Sequence, residues 1–156
     1  MNTMQLFDYY HFDYMEEEGC YIKNVYNASF LSDTGFPCAS HAIGIYCNKP
    51  KSFSRFHMLE HDELWHFYGG APFHLYLLFP DGSSRLVRMG SDLAGGEHLH
   101  YLVPAGTWQA GELCEGEYAL FACSMAPAFD PSIFHFRDQA ELKRLFPAAV
   151  EWIDRL

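Results

Sequence analysis

The sequence is poor in basic residues and has no segment long and apolar enough to span a bilayer. Lysine and arginine number 10 against 20 acidic residues, which gives a formal net charge of −10. Nucleic acid binding needs a basic face that displaces counterions from phosphates, and an acidic surface is repelled by anionic lipid. No run approaches the roughly 20 apolar residues of a transmembrane helix, and the N-terminus lacks the pattern of a signal peptide. We therefore expect no nucleic acid and no membrane partner.

The cysteines form no CxxC pair, and their number is odd. This usage is typical of buried thiols in a reducing compartment rather than of a disulfide framework. We expect a cytoplasmic protein in which all five thiols stay reduced. They are Cys20, Cys38, Cys47, Cys114 and Cys123.

Internal repeats, low-complexity tracts and linkers are also missing, which suits a single domain of residues 1–156. The 14 Phe and 10 Tyr residues favour a sheet protein, because aromatic side chains fit pleated surfaces. Short runs separated by turn signals predict about nine strands and hence an all-β sandwich, jelly roll or barrel. The predicted strands are 21–27, 41–47, 54–59, 63–68, 73–79, 85–89, 98–103, 107–113 and 117–124.

Helix is predicted only at the end of the chain. Asp138 and Glu141 fit a capping box before a helix over 139–146. Pro147 ends this helix and opens a last one over 148–155. The barrel core is thus expected over about 19–137 and the helical segment over about 138–155.

Two stretches carry a distinctive spacing of His, Glu, Pro and Gly. His57 lies six residues before Glu63, and Gly70 follows seven residues later. Pro104 and Gly106 form a turn between two predicted strands. This arrangement resembles the two motifs of the cupin superfamily. The resemblance implies a double-stranded β-helix, or jelly-roll barrel, with an internal pocket.

Longer segments narrow the resemblance to one branch of cupins. They are Glu18–Tyr21, Phe56–Gly70, Val103–Ala110 and Ala126–Asp130. Together they are similar to the cupin-5 family, formerly a domain of unknown function, with Met58 where Arg is usual. Membership implies an RmlC-like jelly roll that is usually a homodimer and has no settled activity.

The predicted catalytic residues are His57 and Glu63. An imidazole in an apolar barrel can act as acid or base near neutral pH. A buried Glu63 needs a partner, and a dyad of the two would orient the ring and raise its pKa. The alternative for each residue is structural: a core histidine satisfied by hydrogen bonds, or a structural ion pair.

Aromatic and amide side chains near that pair are the predicted ligand contacts. Because side chains alternate along a strand, Trp65 and Phe67 share the inward face of Glu63. The rings of Trp65 and Trp108 suit stacking on a planar ligand, with core packing as the alternative. Gln109 both donates and accepts hydrogen bonds, which suits a neutral polar ligand.

Two of the four positions that hold ligands in metal-binding cupins carry other residues here. By the family pattern, Leu59 and Gln109 replace histidines, and neither is a good ligand for a transition metal. We therefore expect the usual cupin metal site to be empty or weakly filled. A divalent metal is the alternative cofactor, and a full set would require the two histidines at 98 and 100 to face the barrel. The weak metal-ligand candidates are His57, Glu63, His98 and His100.

The pocket predicts a protein that binds a small molecule, and three functions stay open. Similarity to RmlC-type sugar-nucleotide epimerases indicates an isomerase or epimerase acting on a sugar-like or nucleotide-like compound, with His57 as base. Those enzymes place a Lys where this chain has Glu63, so an anionic enolate would lack its usual stabilisation. The alternatives are a metal-dependent cupin, such as a dioxygenase or metalloisomerase, and a non-catalytic binding or sensing module.

Overall fold

The computed structural model describes all residues from 1 to 156 and contains two antiparallel β-sheets that face each other. Three α-helices flank them. The helices are α1 (Thr3–Tyr10), α2 (Gln139–Leu145) and α3 (Val150–Arg155). The strands are β1 (Asp13–Met15), β2 (Cys20–Asn27), β3 (Ser40–Asn48), β4 (Lys51–Ser52), β5 (Ser54–Leu59), β6 (Glu63–Gly70), β7 (Phe73–Leu78), β8 (Ser84–Met89), β9 (His100–Val103), β10 (Trp108–Leu113), β11 (Tyr118–Met125) and β12 (Phe134–Phe136).

The order of the strands is that of a jelly roll rather than of consecutive hairpins. The first sheet runs β1-β2-β3-β11-β6-β9, with β4 beside β3, and the second runs β12-β5-β10-β7-β8. Strands far apart in the chain, such as β3 and β11, are therefore neighbours in space. The predicted all-β jelly-roll barrel with C-terminal helices is confirmed, and all nine predicted strands are present.

Burial separates the molecule into layers. The core between the sheets contains Tyr46 and Phe121 from the first sheet and Phe73 from the second. The opposite face of the second sheet is covered by α2 and α3, whose Leu142 and Ile153 pack against it. The second sheet is therefore packed on both faces, by the first sheet on one side and by the C-terminal helices on the other.

The N-terminal helix α1 shows that the prediction of helix only at the end of the chain is wrong. Asn2 and Gln5 form a reciprocal capping box, with bonds of 2.9 and 3.0 Å. Leu6 is buried against Ile45 on the outer face of the first sheet. An eight-residue helix is too short to be stable alone, so its existence depends on this docking.

At the other end of the chain, the predicted capping box is half right. Asp138 caps α2 by accepting a hydrogen bond from the backbone N–H of Ala140. Glu141 does not reach back to complete the box, because it pairs with Arg137. Pro147 ends the helix as predicted and opens a short 3-10 turn before α3.

Candidate ligand-binding cavity

A cavity of about 270 Å³ lies inside the barrel, between the inner face of the first sheet and strand β5 of the second. Its lining is mostly hydrophobic, with a few convergent polar groups. Predicted residues His57, Glu63 and Trp65 all line it. This composition is typical of small-molecule sites, in which apolar walls surround a small number of polar groups.

The His57 ring is held in one orientation by neighbours on both sides. Its Nδ1 lies 2.8 Å from the carbonyl oxygen of Arg55, which can only accept, so Nδ1 carries the proton. The ring stacks on Phe134 at a centroid distance of 5.0 Å. Nε2 makes no hydrogen bond, and its nearest carboxylate oxygen belongs to Glu18, 4.0 Å away. In the neutral ring, Nε2 therefore presents a free lone pair to the cavity.

Glu63 is fixed by an amide that comes from the opposite sheet. The side chain of Gln109 donates from Nε2 to Glu63 Oε2 at 2.6 Å and accepts from the indole N–H of Trp65 at 2.9 Å. Burial raises the pKa of Glu63, while His57 and the Gln109 hydrogen bond oppose that rise. The predicted pair of His57 and Glu63 lines one cavity without a direct hydrogen bond: the Gln109 amide donates to Glu63, and the carboxylate oxygen within 4.0 Å of His57 Nε2 belongs to Glu18.

Glu18 is the site residue that sequence reasoning missed. It is buried in the turn between β1 and β2, and it accepts a 2.5 Å hydrogen bond from Ser54. Ser54 in turn accepts from the hydroxyl of Tyr46 at 2.7 Å. The signal for it in the sequence is the family motif Glu18–Tyr21, whose first residue is this carboxylate.

A β-bulge explains why Ser54 reaches the same interior as His57. Gln109 pairs with His57 and Gly111 with Ser54, so a two-residue step on β10 faces a three-residue step on β5. Strict alternation would send Ser54 and His57 to opposite faces, whereas the extra residue returns both to the inside.

The other predicted ligand contacts lie away from the cavity wall. Trp108 is on the opposite face of β10, where it packs with the C-terminal helices. The guanidinium carbon of Arg137 lies over its ring, 5.7 Å from the ring centroid. Phe67 packs against the inter-sheet core, stacked on Phe73. Gln109 is almost fully buried, and its amide is hydrogen-bonded to Glu63 and Trp65, which line the cavity. The placement of Trp108 corrects its proposed contact with a ligand in this cavity.

The donor groups around the cavity do not fit the metal site of metal-binding cupins. Leu59 lines the wall and offers no lone pair, and the Gln109 amide is turned towards Glu63 and Trp65. His98 and His100 are exposed, and His100 pairs with His66 on the outside of the first sheet. They therefore do not complete a ligand set with the interior histidine.

Two buried thiols adjoin the carboxylates and are poor nucleophiles. Burial, assisted by Glu63, raises the pKa of Cys123 well above its ordinary value. Burial and Glu18 do the same for Cys20. Since the thiolate is the reactive form, neither cysteine is activated. All five cysteines are free thiols in the structure.

The jelly roll and its interior histidine and carboxylates define a cupin. A family model described as cupin superfamily (DUF985), Cupin_5, matches residues 9–137. The chain belongs to this family. A comparison with curated proteins finds no match.

Solved structures agree on the fold. A protein from Shewanella oneidensis is 24% identical with a TM-score of 0.92, and the alignment covers 100% of this chain and 97% of that one. A hypothetical protein from Leishmania major is 22% identical with a TM-score of 0.89, covering 100% and 98%. Oxalate decarboxylase from Bacillus subtilis is 14% identical with a TM-score of 0.53, covering 93% and 37%. At these identities the similarity shows the cupin fold and nothing about activity. No helix meets the length and hydropathy needed to cross a membrane.

Proposed function

We propose that this protein binds a small molecule in the barrel cavity and catalyses proton transfer on it, as an isomerase or epimerase. The observation that carries the proposal is the state of His57. Its Nδ1 proton is committed to the Arg55 carbonyl, and its Nε2, which has no hydrogen-bond partner, is left free at the barrel cavity that the residue lines. A general base needs this combination of fixed tautomer and free lone pair.

Glu63 supplies the complementary acid. Burial raises its pKa, which makes the protonated form, and with it donation of a proton to the substrate, easier to reach than for an exposed glutamate. Epimerases of related fold use a Lys at this position, so Glu63 can move a proton but cannot supply the positive charge of that Lys. A base and an acid in different environments on the same cavity are the usual pattern for proton transfer near neutral pH.

The test is exchange of a substrate C–H proton with solvent. Sugar-like compounds that raise the melting temperature are incubated with the protein in deuterium oxide, and incorporation is followed by mass spectrometry and NMR. We expect His57→Asn to lower the exchange rate by about 100-fold or more, because Asn can still donate to the Arg55 carbonyl but lacks Nε2. Equal exchange rates in the two proteins would reject His57 as the base. Binding without any exchange would favour a non-catalytic binding module.

We also propose that a second copy of the chain covers the outer face of the first sheet. Leu102, Tyr26 and Tyr68 are each about half exposed there, next to the half-buried Leu64. A shallow groove on this face contains a single acidic residue, Asp62. Two copies that each carry a net charge of −10 can approach best through a face that is nearly free of acids.

A further inference from the structure

We infer that the ligand of the cavity carries a cationic nitrogen, an organic ammonium group held between Glu18 and Glu63. This inference rests on the proposed small-molecule function and specifies its ligand class. It follows from the charges, the hydrogen bonds and the walls of the cavity.

The charges on the cavity wall all have one sign. The lining contains Asp13, Glu18 and Glu63, and it contains no lysine or arginine. Asp13 already has a partner, because Lys23 forms an exposed ion pair with it at 3.0 Å. Glu18 and Glu63 are more than nine-tenths buried and have no lysine or arginine partner.

The hydrogen bonds to these two carboxyl groups leave room for a ligand. The Ser54 hydroxyl donates to Glu18 and the Gln109 amide donates to Glu63, and the thiols of Cys20 and Cys123 are further, weaker donors to these two groups. A carboxylate has about four acceptor positions, so each group keeps acceptor capacity for a ligand. Burying an ionised carboxylate without a countercharge is costly, and an ammonium group would remove that cost for either residue.

His57 provides an independent indication that a polar group enters here. Its side chain is 3% exposed, yet Nε2 has no partner and borders the cavity. Nε2 can accept an N–H from the same ammonium group that contacts the carboxylates, since a primary ammonium has three donors. A carboxylate or phosphate ligand would instead meet two acidic side chains at close range.

The aromatic walls suit a cation as well. Trp65, Phe121, Phe129 and Phe134 line the cavity beside the acidic groups. The faces of aromatic rings attract ammonium groups, most strongly where water is excluded. A volume of about 270 Å³ accommodates an amino sugar or a small aromatic amine.

Two matched sets of probes test the inference by calorimetric titration of the full chain. One set is phenethylamine, phenethyl alcohol and phenylacetate, and the other is glucosamine, glucose and glucuronate. Within each set the scaffold stays nearly constant while the group changes from cationic to neutral to anionic. We expect the amine of at least one set to bind about tenfold or more tightly than its hydroxyl analogue, with the anion weakest.

Isosteric variants assign the preference to the two carboxylates. Glu18→Gln and Glu63→Gln should each reduce the preference for amine over alcohol to within about threefold. The exposed helix residue Glu151 provides a control, and Glu151→Gln should leave the preference unchanged. Circular dichroism checks that each variant is folded, and the probe comparison in the wild-type protein requires no variant at all.

The outcomes separate this inference from the proposed function. Preference for the alcohol or the acid, or equal binding of all three, overturns the ammonium inference and leaves small-molecule binding intact. A preference that survives both Gln variants overturns the role of the carboxylates. Absence of binding by all six probes at millimolar concentration counts against both the ligand class and the cavity as a site for such molecules.

Discussion

Replacing Gln109 with leucine tests the hydrogen-bond network that connects the two sheets. The amide is buried, accepts from the Trp65 indole at 2.9 Å and donates to Glu63 at 2.6 Å. Gln109→Leu keeps a similar volume but leaves a buried N–H and a buried carboxyl oxygen without partners. Each unsatisfied group costs about 1–3 kcal/mol, and burying an apolar side chain instead of an amide offsets part of this. We expect the free energy of unfolding to fall by about 2–4 kcal/mol.

Urea denaturation followed by fluorescence and circular dichroism measures this change. A double-mutant cycle with Trp65→Phe isolates the indole bond, because Phe keeps most of the apolar packing but lacks the N–H. The coupling between the two substitutions should be about 1 kcal/mol. A loss below about 0.5 kcal/mol for Gln109→Leu, with no coupling, would refute the idea that this amide satisfies both groups.

Three further predictions follow from the same geometry. Because burial raises the pKa of Glu63, the stability that this group contributes is present below its ordinary pKa of 4.5 and is lost as pH rises through the folded-state pKa. Glu63→Gln should remove this pH-dependent part of the free energy of unfolding. Parallel curves of stability against pH for the two proteins would contradict the prediction. The double variant Leu59→His, Gln109→His should bind a transition metal together with His57 and Glu63, as measured by elemental analysis and metal titration, whereas the wild-type protein should bind such metals weakly. A stoichiometric metal in the wild-type protein that disappears in His57→Ala would contradict this prediction. Leu102→Asp should convert a dimer into a monomer by light scattering, and a wild-type monomer at micromolar concentration would reject the second copy on this face.

The local pattern of the sequence was sufficient for the strands and for three members of the site. Side chains alternate between the two faces of any strand, whatever its neighbouring strands are. This alternation therefore places Trp65 on the same face as Glu63 from the sequence alone. The family spacing added His57 on the inner face of β5. All three line one cavity. Their roles in binding and proton transfer stay predictions.

Only the tertiary structure decided which groups meet across the barrel. The bulge in β5 that turns Ser54 inward depends on its pairing with β10, and the turn that brings in Glu18 packs against residues more than thirty positions away. Trp65 and Trp108 are both tryptophans on strands, but only Trp65 lines the cavity, whereas Trp108 packs against the C-terminal helices. Helix α1 likewise depends on the sheet that it covers. Periodicity specifies which side chains share a face, whereas closure of the two sheets determines which face is inside and what it contacts.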